Sequence, residues 1–389
     1  MILRGRSFAV GVGIAVGFAL VESSVGAVAP VYPEADWAKG DPARHGFDPS
    51  FGTELDAYAF AKDAPFTTDG LLVLHGGEIL YERYARDYTA KMRHYAWSMT
   101  KSVSMALFGI AEGEGKIRRD DPISKWVPEA DAKSFTGVTI ANLISMSTGI
   151  LWREGYEASP FDSHVVTALY RTRASFDFGL YRTEITKRVA PVGERFNYAS
   201  GETNLMMKAL GRSLGPAYAD FPWNKLFTPI GMKSAVFERD GSGNFVGSSY
   251  LEATPRDFAR FGYLFLRDGN WRGKQIVPAE WVKMAATPSP AMAHLRLDHR
   301  PADSPYGYGW WLNRAFPRAQ IGKPFPSFPD DMYFASGHDG QELVVVPSWD
   351  VVVVRVGNDR FGKRLDLERI GKILKDARAK SAPAKGSVR

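Results

Sequence analysis

The chain has no cysteine among its 389 residues. That excludes disulfides, a thiol nucleophile, thiolate-held metals and lipid-modified cysteine, and it leaves stability to a packed core. Histidine is scarce: His45, His75, His94, His164, His294, His299 and His338 are all there are. No two of them stand at metal-ligand spacing with a third ligand nearby, and H-E-x-x-H is missing, so no metal is expected. G-x-S-x-G, a P-loop and a G-x-G-x-x-G before a helix are missing too. Their absence argues against an α/β-hydrolase elbow and nucleotide binding, and no organic cofactor is expected. The net charge is +6, but the basic residues are scattered and form no stripe. Nucleic acid is therefore not an expected partner.

Hydrophobic residues make up 45% of the chain and aromatics 13%. A chain of this length and composition can bury a large core. The N-terminus is Met-Ile-Leu-Arg-Gly-Arg, followed by an apolar run from about Phe8 to Val21 and by small residues ending Ala27-Val28-Ala29. This layout predicts a signal peptide over 1–29, a mature chain beginning near Pro30, and a periplasmic or secreted protein. An uncleaved anchor is the alternative. The run is shorter than the roughly 18–20 apolar residues of a spanning helix, and no later segment reads as transmembrane, so no stable membrane span is expected after cleavage.

Leu71-Leu-Val-Leu-His and Glu78-Ile-Leu-Tyr-Glu-Arg-Tyr around Gly76-Gly77 predict a β-hairpin. Strand character returns at Tyr306–Leu312, Glu342–Pro347 and Val351–Val356, with a closing helix from Leu365 to Lys375. Between them lie helical stretches, among them Glu202–Leu214 and a helix with Thr254 as cap and Pro255 at its first position. A lone hairpin is marginal, so the late strands should complete its sheet. The expected fold class is α+β, an α/β sandwich. One antiparallel sheet is built from both chain ends and flanked by helices, with a mostly helical domain inserted. The expected divisions are 30–119 and 233–376 for the two parts of the α/β domain, 120–232 for the insertion and 377–389 for a weakly ordered tail.

Ser98-Met-Thr-Lys101 opens an apolar helical pattern, and Ser98 is the only serine with a lysine three residues on. One helical turn places both side chains on one face. A desolvated lysine can take the serine's proton, and the helix N-terminus offers N–H groups to an oxyanion. Serine is also a good N-cap, and Ser-x-x-Lys arises by chance.

The ordered set Ser98-Met-Thr-Lys101, Tyr198-Ala-Ser200 and His338-Asp-Gly340 resembles the serine β-lactamase and penicillin-binding-protein superfamily. The class C-like branch is the nearest likeness, with its D-amino-acid peptidases, family VIII-type esterases and 6-aminohexanoate-oligomer hydrolases. Gly137–Gly149, Pro191–Tyr198 and Tyr306–Trp311 support the resemblance, which runs from about Thr68 to Leu374. It implies a β-lactamase/transpeptidase-like fold and an acyl-enzyme on Ser98, with Lys101 as base and Tyr198 as proton carrier. It also implies an oxyanion hole from the backbone N–H groups of Ser98 and Gln341. Ser200 stands where much of the family has asparagine, and a capping role for the helix behind it competes. His338-Asp339-Gly340 replaces Lys-Thr-Gly. The family makes this element a cleft-lining strand edge, whereas Asp-Gly is also a turn signal. With Trp310 as an aromatic wall, these residues form the candidate substrate site, although aromatic alternation also describes core. Losing the Lys-Thr-Gly lysine favours neutral or amine-bearing esters and amides over carboxylate-bearing substrates. A β-lactamase or D-Ala-type peptidase is the alternative, and a non-catalytic cell-wall-binding homologue a more distant one. Sequence leaves the oligomeric state open.

Overall fold

The computed structural model describes residues 30–156, 162–170, 176–294, 304–360 and 363–381. The expected signal peptide and residues 382–389 of the expected tail lie outside the described residues.

Strands β1 (Thr68–His75) and β2 (Glu78–Tyr84) form the expected hairpin, with Gly76 and Gly77 both at positive φ in its turn. A side chain at Gly77 would put its Cβ 1.9 Å from the Val31 carbonyl oxygen, so glycine is required there. The other four strands come from the far end of the chain: β3 (Trp311–Leu312), β4 (Tyr333–Gly337), β5 (Gln341–Val346) and β6 (Val351–Gly357). The sheet order is β2-β1-β6-β5-β4-β3 with every pair antiparallel. The sheet is thus closed across the chain by β1 lying beside β6. Of the stretch expected as strand from Tyr306, only Trp311–Leu312 pairs as one.

The central strands read as unbroken apolar runs because both faces are covered. Leu72, Leu74, Leu343, Val345, Val352 and Val354 face one core, packed by helices α1 (Thr100–Gly113) and α2 (Pro255–Leu266). Leu71, Val73, Val344, Val346, Val351 and Val353 face the other, covered by the Phe51–Ala59 helix and by α3 (Leu367–Ser381). Thr254 caps α2 through the Asp257 N–H with Pro255 behind it, as the sequence predicts. The helical segment after residue 120 shares the first core: Ile123, Val138, Leu143 and Leu205–Leu210 pack with the sheet and α1. The last helix passes the expected boundary at 376 and runs to Ser381, because Ala377 is buried in the second core. Among the described residues, no helix is long and apolar enough to cross a membrane.

A buried ion pair ties the β4–β5 turn to the sheet. The Arg355 guanidinium on β6 contacts both Asp359 carboxylate oxygens at 2.9 and 2.7 Å, and it donates to the Gly340 carbonyl at 2.6 Å and to the Thr67 carbonyl at 2.9 Å. Both partners are almost wholly inaccessible. Removing one member leaves the other charge uncompensated in the interior. Arg355→Met is therefore expected to cost about 3–5 kcal/mol, read as a lower urea midpoint. Replacing both partners with apolar residues should recover part of that loss.

Candidate active site

Trp97–Met99 forms a 3-10 turn that runs directly into α1. Trp97 sits at φ 47°, a left-handed conformation that a bulky residue rarely adopts. Such strain persists where surroundings over-determine it. Here the end of β4 does so: a Cβ on Gly337 would lie 2.3 Å from the Ala96 carbonyl oxygen and 3.1 Å from the Trp97 Cβ. The turn presents Ser98 at the cleft while the following helix is buried on all sides.

Lys101 extends from the first turn of that helix and is 1% exposed. Its Nζ lies 3.0 Å from Ser98 Oγ, 2.9 Å from Ser200 Oγ and 3.0 Å from the Ser248 carbonyl oxygen. Burial lowers its pKa to about 8, against the opposing pull of the Glu154 carboxylate. The hydrogen-bond inventory then fixes the direction of each contact. The Ser248 carbonyl can only accept. Ser200 Oγ donates its proton to Glu154 Oε1 at 2.5 Å, so it accepts from the lysine. In the protonated form the third N–H of Lys101 donates to Ser98 Oγ; in the neutral form, with two N–H bonds committed to the other acceptors, the lone pair is left for the Ser98 hydroxyl.

Ser200 begins the helix Ser200–Leu214, and its side chain caps nothing; the N-cap position is Ala199, without a side-chain cap bond. Its hydroxyl instead links Lys101 to Glu154, which also accepts from the Ser200 N–H at 3.0 Å and from the Trp152 indole. Behind this group, Arg182, in the helix Phe178–Glu184, and Glu202 form a fully buried bidentate pair that fixes the two helices against each other.

Tyr198 stands at the cleft wall, stacked on Trp311 with ring centroids 5.2 Å apart and with Lys101 Nζ 4.9 Å from its ring centre. Ser98 is the polar neighbour of its hydroxyl, and desolvation holds its pKa well above the usual phenol value, so it carries its proton. Tyr156 also lines the cleft near Ser98. Its hydroxyl is buried without a hydrogen bond of normal geometry, beside the hydroxyls of Ser200, Ser249 and Ser98, and its ring stacks on His338 at 4.4 Å.

Three expected placements are corrected. His338-Asp339-Gly340 is not a strand edge but the turn joining β4 to β5. Gly337 pairs with Gln341, so three residues must close the hairpin, and Asp339 and Gly340 take positive φ to do it. Gln341 is fully buried as the first residue of β5, and its side-chain amide bonds the carbonyls of His338, Asp339 and Gly357. The main chain that borders the cleft beside Ser98 is Gly337–His338. Trp310 has no exposed surface and packs on Phe261, Phe265 and Tyr333 in the first core; strand alternation sends its neighbour Trp311 to the cleft instead.

The cleft is a cavity of about 430 Å³ that runs from Ser98 and Tyr198 past Trp311, Phe334 and Ser336 to Glu342 and the segment Arg364–Leu367. Glu154, Tyr156 and Glu342 have no counterpart in the sequence reading. They reach the site from a loop and from a strand, and no local spacing links them to Ser98. Among the described residues no group of histidine, aspartate and glutamate side chains has the arrangement to hold a metal.

With this geometry in view, known proteins supply a frame. The Beta-lactamase family model matches residues 60–377. A 6-aminohexanoate-dimer hydrolase of Paenarthrobacter ureafaciens is 26% identical over 300 residues, covering 75% of this chain and 72% of its own. A D-stereospecific amidohydrolase from a Streptomyces species has the same fold, with a TM-score of 0.59 at 15% identity, covering 84% of this chain and 97% of its own. So does an octameric penicillin-binding protein homologue from Pyrococcus abyssi, with a TM-score of 0.60 at 19% identity over 80% of this chain and 73% of that one. The β-lactamase/transpeptidase-like fold and the extent of the match show that this chain belongs to the Beta-lactamase family of serine hydrolases.

Proposed function

We propose that the protein cleaves esters or linear amides through an acyl-Ser98 intermediate. The observation that carries this reading is the 3.0 Å contact between Ser98 Oγ and the Nζ of a buried, low-pKa Lys101 whose other two partners are acceptors. Neutral Lys101 takes the Ser98 proton as Oγ attacks the substrate carbonyl. The oxyanion is met by the Ser98 N–H and by the main chain at His338, which takes the part expected of Gln341. Tyr198 passes its proton to the leaving amine or alcohol and is reprotonated from Lys101. Water then enters along the same route, giving a proton back as it attacks the acyl carbonyl and releases Ser98. Ser200 and Glu154 act through Lys101 by keeping its N–H bonds occupied. The intact contact between Ser98 and Lys101 argues against a non-catalytic binding role.

The proton inventory sets the pH dependence. The working form of Lys101 is the neutral one, so kcat/KM for a neutral ester should rise about tenfold per pH unit below about 8 and level off above it. Lys101→Arg should lose at least about 10³-fold and show no such rise, since arginine stays protonated. A Lys101→Arg enzyme with near-normal activity would reduce the lysine to a fixed positive charge.

Substrate choice follows from the charges along the cleft. His338 Nε2 lies 3.3 Å from Asp339 Oδ1, so the element that replaces Lys-Thr-Gly offers a carboxylate no uncompensated cation. Glu154 and Asp366 border the cavity against one arginine, Arg364, and Glu342 adds a buried carboxyl whose pKa is raised to about 8. This balance suits neutral or amine-bearing chains, a class that includes ω-aminoacyl amides such as those named for the Paenarthrobacter relative. Turnover of short esters and ω-aminoacyl anilides is expected to exceed that of nitrocefin and D-Ala-D-Ala peptides by at least about tenfold in kcat/KM, roughly 1.4 kcal/mol. Nitrocefin turnover at or above the ester rate would favour a β-lactamase instead. We infer export as well, from the tripartite N-terminus; N-terminal sequencing of the functional protein should then begin near Pro30, and recovery of residues 1–29 would favour an anchor.

A further inference from the structure

The cleft holds a carboxyl group that the catalytic reading does not use. Glu342, on β5, is nine-tenths buried and borders the same cavity as Ser98. Its Oε1 accepts from the Ser336 hydroxyl at 2.9 Å across the β4–β5 pair. Its Oε2 is buried with no hydrogen-bond partner among the described residues. The rings of Tyr198, Trp311 and Phe334 line the same cavity. A cavity whose walls carry aromatic rings beside a half-satisfied carboxyl is complementary to an alkyl chain ending in a cation.

We propose that Glu342 is a specificity-determining residue that receives the terminal ammonium of a substrate arm lying along β4. The inference rests on the amine-bearing class named above and assigns its recognition to one side chain. An alkylammonium would supply the missing donor to Oε2 and form a charge-assisted bond in a desolvated setting. The charges nearby are Arg364 and Asp366 at the outer end, the mutually neutralising Arg355–Asp359 pair behind the strand, and His338 and Glu154 toward Ser98. Burial raises the Glu342 pKa to about 8, so without a ligand the carboxyl is mostly protonated at neutral pH. An ammonium must displace that proton, and its preference should therefore strengthen as pH rises from 6.5 to 8.5, a range in which an alkylamine stays charged.

The test uses the full chain carrying Ser98→Ala, which does not depend on turnover. Calorimetry compares three uncleaved probes: N-butyl-6-aminohexanamide, N-(6-aminohexyl)butanamide, and the uncharged N-butylhexanamide. The two amines place the cation on opposite sides of the amide. At pH 8.5 one of them is expected to bind at least about tenfold more tightly than the uncharged probe. That preference should shrink on lowering the pH to 6.5 and disappear with Glu342→Gln, which keeps the side chain's shape. No preference for either amine, or a preference that Glu342→Gln retains, would overturn the assignment. Hydrolysis of neutral esters by the enzyme with Ser98 intact stands apart from this result, so failure of the amine site and failure of the acyl-enzyme reading are separately visible.

Discussion

The structure turns on the burial of one amine. Lys101 sits in a helix that is covered on every side, and an ammonium there would be costly unless its donors were met. The Ser248 carbonyl and the Ser200 hydroxyl meet two of them, and Glu154 fixes the Ser200 proton so that the serine must accept. The third position faces Ser98: the ammonium donates to its hydroxyl there, and once Lys101 is neutral the lone pair at that position can take the Ser98 proton. The strained Trp97, the close approach of Gly337 to Ala96 and the buried Arg182–Glu202 pair all hold the parts of this arrangement in place.

A sheet buried on both faces supplies the rigidity. Each central strand sends alternate residues to two different cores, so the β4–β5 turn beside Ser98 is anchored from both sides. The Arg355–Asp359 pair, by binding the Gly340 and Thr67 carbonyls, ties that turn to the strand that joins the two ends of the chain. The cleft lies along β4 where the short β3 covers only the beginning of the strand, so that the half-buried Ser336 and the main chain at Gly337 border it.

The parts of the fold that were legible in the sequence are those with local causes. Gly76-Gly77 between two β-rich runs, the Thr254-Pro255 helix start and the valine runs of the last strands each carry their own physical signal. Ser98 and Lys101 were legible because helical periodicity sets their relation, and Tyr198 and Ser200 came through resemblance. Glu154, Tyr156 and Glu342 were not, because their roles arise from a loop and a cross-strand pair that bring distant residues together. His338-Asp339-Gly340 shows the limit of a motif: its residue order suggested a strand edge, but the pairing of Gly337 with Gln341 leaves room only for a turn. Trp310 and Trp311 differ by one position, and the two-residue period of a strand sends one to the core and the other to the cleft.

The central claim is that Ser98 is acylated during turnover. The most direct measurement is rapid acid quench of the enzyme with p-nitrophenyl butyrate, followed by intact mass and peptide mapping. The account predicts a transient butyryl adduct on the peptide containing Ser98, absent in Ser98→Ala. A butyryl group on any other side chain, or steady turnover by Ser98→Ala, would contradict it.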